Sequence, residues 1–290
     1  MLSTVARTYG ANLDKPNEIV RRQACRLPWA WDGLCFAVPM HRSDYLGLRD
    51  VANEQVPSVV SGIAWARDER GNTVANLSAS AYIEYANHPR HDLPTNELTV
   101  YARFKRNGSG DIYGGITCNI WGEGSPYTTW ALGDAVGGAG EIHADVTAPT
   151  AGDPHATADS AVVPTTQYVA AFLRWRSAAF HTLDVLGERG QSIYSLTDDE
   201  ITTGPLLYEA GKGIRINGNE QEPPDSFNAR YSQVLVWKRK LSNVEMTAIV
   251  ADPFGWYSPR RETVTLAAPF PVGPGLVGQG IVMVGPGGWS

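Results

Sequence analysis

SQVLVWKRKLSNVEMTAIVADPFGWYSPRR, residues 232–261, holds the reading on which the fold turns. Its first half is a compact apolar run, Val234 to Trp237, bounded by the basic steps Lys238, Arg239 and Lys240. A run of that length with β-branched residues reads as a buried strand. Ser242 and Glu245 then stand three apart, the spacing at which a serine hydroxyl and a glutamate carboxylate cap each other's backbone amides and start a helix. Met246, Ile249 and Val250 give that helix one short apolar stripe, and Asp252-Pro253 ends it.

Outside this stretch the chain reads as strands. In LTVYARFKR (98–106), Leu98, Val100, Ala102 and Phe104 share one face, against Thr99, Tyr101, Arg103 and Lys105. GITCNIW (115–121) sets Ile116, Cys118 and Ile120 against Thr117, Asn119 and Trp121. YVAAFLRWRS (168–177) groups Val169, Ala171, Leu173 and Trp175. GIRING (213–218) sets Ile214 and Ile216 against Arg215 and Asn217. Period-two alternation predicts strands half-buried on one face. RNGSGD, GEGSP, DAVGGAGE, APTAGDP and INGNEQEPPD punctuate them, the pattern of a sandwich or barrel.

The 290 residues carry a formal net charge of −6, with 43% hydrophobic residues, enough for one large core. Scattered Lys and Arg on an acidic chain exclude the basic stripe of a nucleic-acid binder. No stretch reaches the roughly 20 apolar residues that cross a bilayer. The opening MLSTVARTYGANLDKPNEIVRR has neither an apolar core nor a small-residue cleavage site, so no secretory signal is expected. Cys25, Cys35 and Cys118 are odd in number and lack CxxC spacing, which predicts buried free thiols and a reducing cytoplasm, or release from one by lysis.

At this point the residues carry a likeness. VLVWKRKLSNVEMTAIVADPFGWY (234–257) resembles the closing signature of LamG-type, concanavalin A-like domains, through Trp237, Arg239, Leu241, Ser242 and Glu245. ADPFGWYSPRR resembles the form of that ending found in bacteriophage genomes. PWAWDGLCFAVPM (28–40) resembles the first strand of such domains. LRDVANEQVP (48–57) resembles their D-x-x-G-N turn without its glycine, and SASAYIEYAN (78–87) a strand before the body.

The resemblance implies an all-β, concanavalin A-like antiparallel β-sandwich (jelly roll) over residues 28–258, with one short C-terminal helix. An N-terminal arm (1–27) precedes it, and an apolar Gly/Pro-rich tail (259–290) follows. From Thr263 to Ser290 there is no Asp, Glu, Lys, Arg or His. Disordered linkers are usually polar, so such a tail is expected to lie against a surface, its own or a partner's. Its first few residues read as a strand, and the repeated Gly and Pro beyond them work against regular structure.

Fold alone does not fix function, so sites are read singly. Glycosidases of this superfamily set carboxylates at alternate positions of one strand, because two must flank the scissile bond. EIHAD offers Glu141, His143 and Asp145, with His143 where an acid belongs, and reads as a polar outer face. His88 and His91 share H-x-x-H spacing, but Pro89 bars a helix and no further ligand is evident, so a solvated loop is expected and no metal. Calcium is implied by resemblance only. Its candidates Asp134, Asp153, Asp159 and Asp225 stand alone and read as turn residues. Trp121, Tyr127 and Trp130, in IWGEGSPYTTW, are the candidate glycan patch, because sugar faces stack on exposed rings. Core packing is the competing reading.

The expectation is a non-enzymatic structural or interaction protein of a bacteriophage virion, such as a capsid decoration, head fibre or tail-associated protein. Its expected partners are other virion proteins, such as a major capsid or tail protein, further copies of itself, and a host surface glycan. A lectin-like adhesin is the alternative, and a glycoside hydrolase using Glu141 and Asp145 the more distant one.

Overall fold

In a computed structural model, the described residues are 4–7, 25–41, 43, 45–91, 95–108, 115–120, 128–134, 142–146, 155–156, 163–202, 204–206, 213–218, 227–257 and 262–265. Strands run in chain order as β1 (Thr4–Arg7), β2 (Leu34–Val38), β3 (Val59–Arg67), β4 (Thr73–Tyr85), β5 (Glu97–Arg106), β6 (Gly115–Ile120), β7 (Thr128–Asp134) and β8 (Ile142–Val146). They continue with β9 (His155–Ala156), β10 (Val169–Arg176), β11 (Ala179–Gly187), β12 (Ser192–Thr202), β13 (Ile214–Ile216) and β14 (Ala229–Trp237). Helix α1 (Asn243–Ala251) and β15 (Glu262–Thr265) complete the list.

All pairings are antiparallel. β1 and β15 pair apart from the rest, so the arm and the start of the tail each supply one strand. The other thirteen form one sheet in the order β12-β11-β10-β5-β14-β4-β13-β6-β7-β8-β9, with β2 added to β14 and β3 to β4. That sheet curls on itself into a β-sandwich. One layer is β12-β11-β10-β5-β14-β2, and the other is β3-β4-β13-β6-β7-β8-β9.

The corner is β4, thirteen residues long. Its first half pairs with β14 and its second half with β13. Asn217, left-handed at φ 60°, holds the bend. Its Nδ2 donates to the carbonyls of Ser78 (3.0 Å) and Ala81 (2.6 Å), and its Oδ1 accepts from Tyr231 Oη (2.9 Å). Asparagine tolerates that region better than most residues, so the turn read from INGN is also a clamp.

The main core lies between the layers. Val100, Ala102 and Phe104 of β5 meet Val169, Ala171 and Leu173 of β10, Val234 and Val236 of β14, Ile83 of β4, Ile214 and Ile216 of β13, and Trp130 of β7. The faces expected from alternation in β5, β10 and β13 hold. β6 departs: register shifts flank Thr117 and Cys118, so Ile116 stays in the core while Thr117, opposite core Leu132, is fully buried.

The opposite face of the first layer is not solvated either. Tyr101, Ala170, Phe172, Leu235 and Trp237 form a second core with Ala30, Leu241, Met246, Ile249, Val250 and Trp256. This corrects the half-buried expectation for β5 and β10. Helix α1, through buried Met246, Ile249 and Val250, the turn after it and the 3-10 turn Pro28–Trp31 supply the cover. Ser242 and Glu245 form the full capping box. Arg239 joins Glu245 (2.7 Å) to the carbonyls of Asp32 (2.7 Å) and Trp29 (3.3 Å). Trp31 Nε1 donates to Trp256 O (2.7 Å), and Trp237 Nε1 donates to Ala30 O (2.6 Å). The two ends of the sandwich thus close as one seam.

Candidate recognition face

The outer faces of β5, β10 and β14 are buried beneath α1 and its flanking turns, whereas the β4 layer presents its outer face without such a cover among the described residues. Strand register places Val59, Glu84, Arg215, Cys118, Ala131 and Asp145 in one row across it. Tyr82, opposite Ser61, stands in the next row.

Glu84 and Arg215 are a directly opposed cross-strand pair, the arrangement in which opposite charges support a sheet. Arg215 Nη2 lies 2.8 Å and Nε 3.3 Å from Glu84 Oε2. The guanidinium carbon sits 5.2 Å from the centre of the Tyr82 ring, within cation–π range. Arg215 is buried at 2% exposure, whereas the Glu84 side chain keeps 27% and Tyr82 is half-buried. The three form a braced patch in which the ring and the carboxylate keep part of their surface in solvent. Such a ring can stack on a sugar face while the carboxylate accepts from its hydroxyls.

Of the residues singled out from the sequence, Trp130 has no exposed surface and belongs to the main core, the competing reading of that cluster. Trp121 and Tyr127 lie outside the described residues, as do Glu141, Asp153, Asp159 and Asp225. Ile142, Ala144 and Val146 fill the core and His143 is half-buried at an alternate position, which fits the polar outer face read from EIHAD. Asp145 pairs in register with Ala131 and His155. Four strand steps separate it from Glu84 in the sheet, and Glu141, its partner in the sequence reading, lies outside the described residues. Asp134 ends β7. No group of three or more His, Cys, Asp or Glu side chains gathers among the described residues.

The H-x-x-H pair corrects a different expectation. His91 is not solvated but buried at 1% exposure, beside fully buried Asp50. Asp50 Oδ1 accepts from the amides of Ala37 (2.9 Å) and Ala52 (3.0 Å). Its Oδ2 accepts from Asn53 Nδ2 (2.6 Å), which also donates to Cys35 O (2.6 Å). His91 Nε2 lies 3.1 Å from Asn53 Nδ2 and 3.5 Å from Asp50 Oδ2. Burial raises the neighbouring Cys35 thiol to about 12, with Lys238 opposing and Asp50 adding to the shift, and burial lifts the Tyr85 phenol well above its usual range. The Tyr85 hydroxyl donates to Leu48 O (2.5 Å). Asp50 therefore ties the LRDVANEQ turn to β2 as a structural staple.

The sequence alone had not marked Tyr82, Glu84 or Arg215 as a site. Alternation in GIRING already set Arg215 off the apolar face, and Tyr82 and Glu84 alternate with Ala81, Ile83 and Tyr85. Their meeting depends on a pairing 131 residues apart, which no local pattern encodes.

No protein-family model matches the chain, and no curated protein matches it in sequence. Solved structures match it in shape. The binding domain of Paraclostridial Mosquitocidal Protein 1 aligns at TM-score 0.55 and 14% identity, over 78% of this chain and 53% of that one. Domain 4 of AbnA, a GH43 extracellular arabinanase from Geobacillus stearothermophilus solved with arabinotriose, aligns at 0.52 and 12%, over 75% and 98%. The botulinum neurotoxin serotype G binding domain aligns at 0.51 and 10%, over 75% and 50%. The chain thus spans about half the length of the two toxin structures and nearly all of the arabinanase domain. Identities this low carry fold and nothing more: the chain is similar to β-sandwich jelly-roll domains of this kind.

Proposed function

We propose that this chain is a non-enzymatic recognition module that binds carbohydrate on the outer face of its β4 layer, around Tyr82, Glu84 and Arg215. One observation carries the reading: β5, β10 and β14 bury their outer faces under a second core, whereas this layer presents a half-buried ring braced by a charged pair. Two structural neighbours lend support, since arabinanase domain 4 was solved with arabinotriose and a botulinum neurotoxin DC binding domain with SialylT. Trp121 and Tyr127 bracket the connection from β6 to β7 of the same layer and are proposed as further contacts. A glycan screen of the full chain, with a product assay on each ligand bound, tests both halves. Saturable binding without turnover is expected. Cleavage of a bound glycan, lost in Glu141→Gln, would overturn the non-enzymatic half.

A second reading is a bacteriophage virion protein, made in the host cytoplasm and contacting capsid or tail proteins. The resemblance of residues 234–257 and the charge-free stretch 263–290 favour it. Immunodetection in purified particles against lysate is its test.

A further inference from the structure

Among the described residues, β3 pairs only with β4, which leaves one side of a nine-residue strand open. Edge strands are usually blunted by charge, proline or twist, because an open ladder recruits other strands. From Val59 to Ala66 there is no charged residue and no proline. Val59 and Val60 are exposed at 37% and 43%, and Val56 just before them at 51%. Val60 is opposite core residue Ile83, yet nearly half of it is bare. Ile63 and Trp65, which pair with core residues Leu77 and Ala75, are only partly buried. The main core is therefore left open along this edge.

One protective device is present. A register shift lies between Ser61 and Ile63, at Gly62 with φ +66°. A Cβ there would meet Ala81 Cβ at 3.0 Å, so the bulge requires glycine. It divides the edge into two short segments, each able to take three or four residues of added strand.

The chain supplies a matching segment. Ile281-Val282-Met283-Val284 is a short run of strand-forming apolar residues with glycine on both sides, inside a stretch without charge. Fifteen residues, 266–280, separate it from Thr265. Fully extended they reach ~50 Å. That exceeds the diameter of a domain of this size, whose expected radius of gyration is ~17 Å. Tethering also holds the segment near millimolar effective concentration, which favours its own edge over a neighbour's.

We infer that residues 281–284 add to β3 of the same chain as an extra edge strand, covering Val59, Val60, Ile63 and Trp65. Main-chain hydrogen bonds supply the pairing and alternate apolar side chains close the rim of the core. The inference is independent of the glycan reading.

Hydrogen exchange by mass spectrometry on the full chain and on a chain ending at Thr265, with masses from light scattering, is the test. The expected result is amides of residues 59–66 exchanging at least tenfold faster after truncation, β5, β10 and β14 unchanged, and both chains monomeric. Val282→Lys in the full chain should reproduce the loss in a molecule whose core exchange is intact. Equal β3 exchange in all three chains would overturn the inference. Faster exchange together with a fall from oligomer to monomer would also overturn it, by assigning the edge to a second copy's tail, and would favour the virion reading.

Discussion

Replacing Asp50 gives the sharpest prediction about how the fold is held. Its carboxylate is fully buried and its oxygens satisfy Ala37 N, Ala52 N and Asn53 Nδ2 at 2.6–3.0 Å. In Asp50→Ala, Asn53 keeps its bond to Cys35 O, but two buried backbone N–H groups lose their acceptor. Each orphaned donor costs ~1–3 kcal/mol, so the expected loss is about 2–6 kcal/mol. Asp50→Asn separates hydrogen bonding from bulk. Both backbone donors use the same oxygen, Oδ1, which the amide carbonyl replaces, so only the contact at Oδ2 is damaged. Its cost is expected at about 1–2 kcal/mol. Urea denaturation at neutral pH measures both differences. A loss below ~1 kcal/mol for Asp50→Ala, or equal losses for the two variants, would refute the staple.

Three further outcomes follow from the seam and the core. Ser242→Ala should cost ~1 kcal/mol in the same assay, because the helix loses the side chain that caps Glu245 N while the tertiary seam persists. Glu245 and Glu97 both titrate lower in the folded chain. Burial opposes the shift, but hydrogen bonds from the amides of Ser242 and Lys240, and from Arg239 and Arg176, outweigh it. The unfolded chain therefore takes up these protons first. Their stabilisation is complete above the ordinary glutamate value near ~4.3 and fades as pH falls through the lower folded values. Glu245→Gln should flatten the acid limb of a stability–pH curve, and an unchanged limb would count against the Arg239–Glu245 link. All three cysteines are buried, so a thiol reagent at pH 8 should label the native chain at less than about a tenth of its rate in denaturant.

Much of the architecture was legible because its signals are local. The capping box of α1 needs only Ser242 and Glu245, and the core faces of β5, β10 and β13 need only alternation. β3 escaped because Gly62 shifts its register midway, so VVSGIAWAR shows no continuous period. Burial of Tyr101 and Phe172 on the outer face was hidden for another reason. It depends on α1 and Trp256 folding back over strands 70 or more residues earlier in the chain. The sites follow the same rule. The face on which Arg215 sits could be read from GIRING, but its pairing with Glu84 is set by sheet order. His91 looked solvated beside Pro89 because nothing local reveals Asp50, 41 residues earlier.

The most direct test of carbohydrate recognition on the β4 layer is calorimetric titration of the best glycan from the screen into three chains. These are the unaltered protein, Tyr82→Ala, and Val244→Lys on the α1 cap, where Val244 is 79% exposed on the far side of the sandwich. Binding weakened at least about tenfold by Tyr82→Ala, or ~1.4 kcal/mol, and unchanged by Val244→Lys is the expected result. Equal affinity in all three chains would place the glycan elsewhere and contradict the assignment of this face.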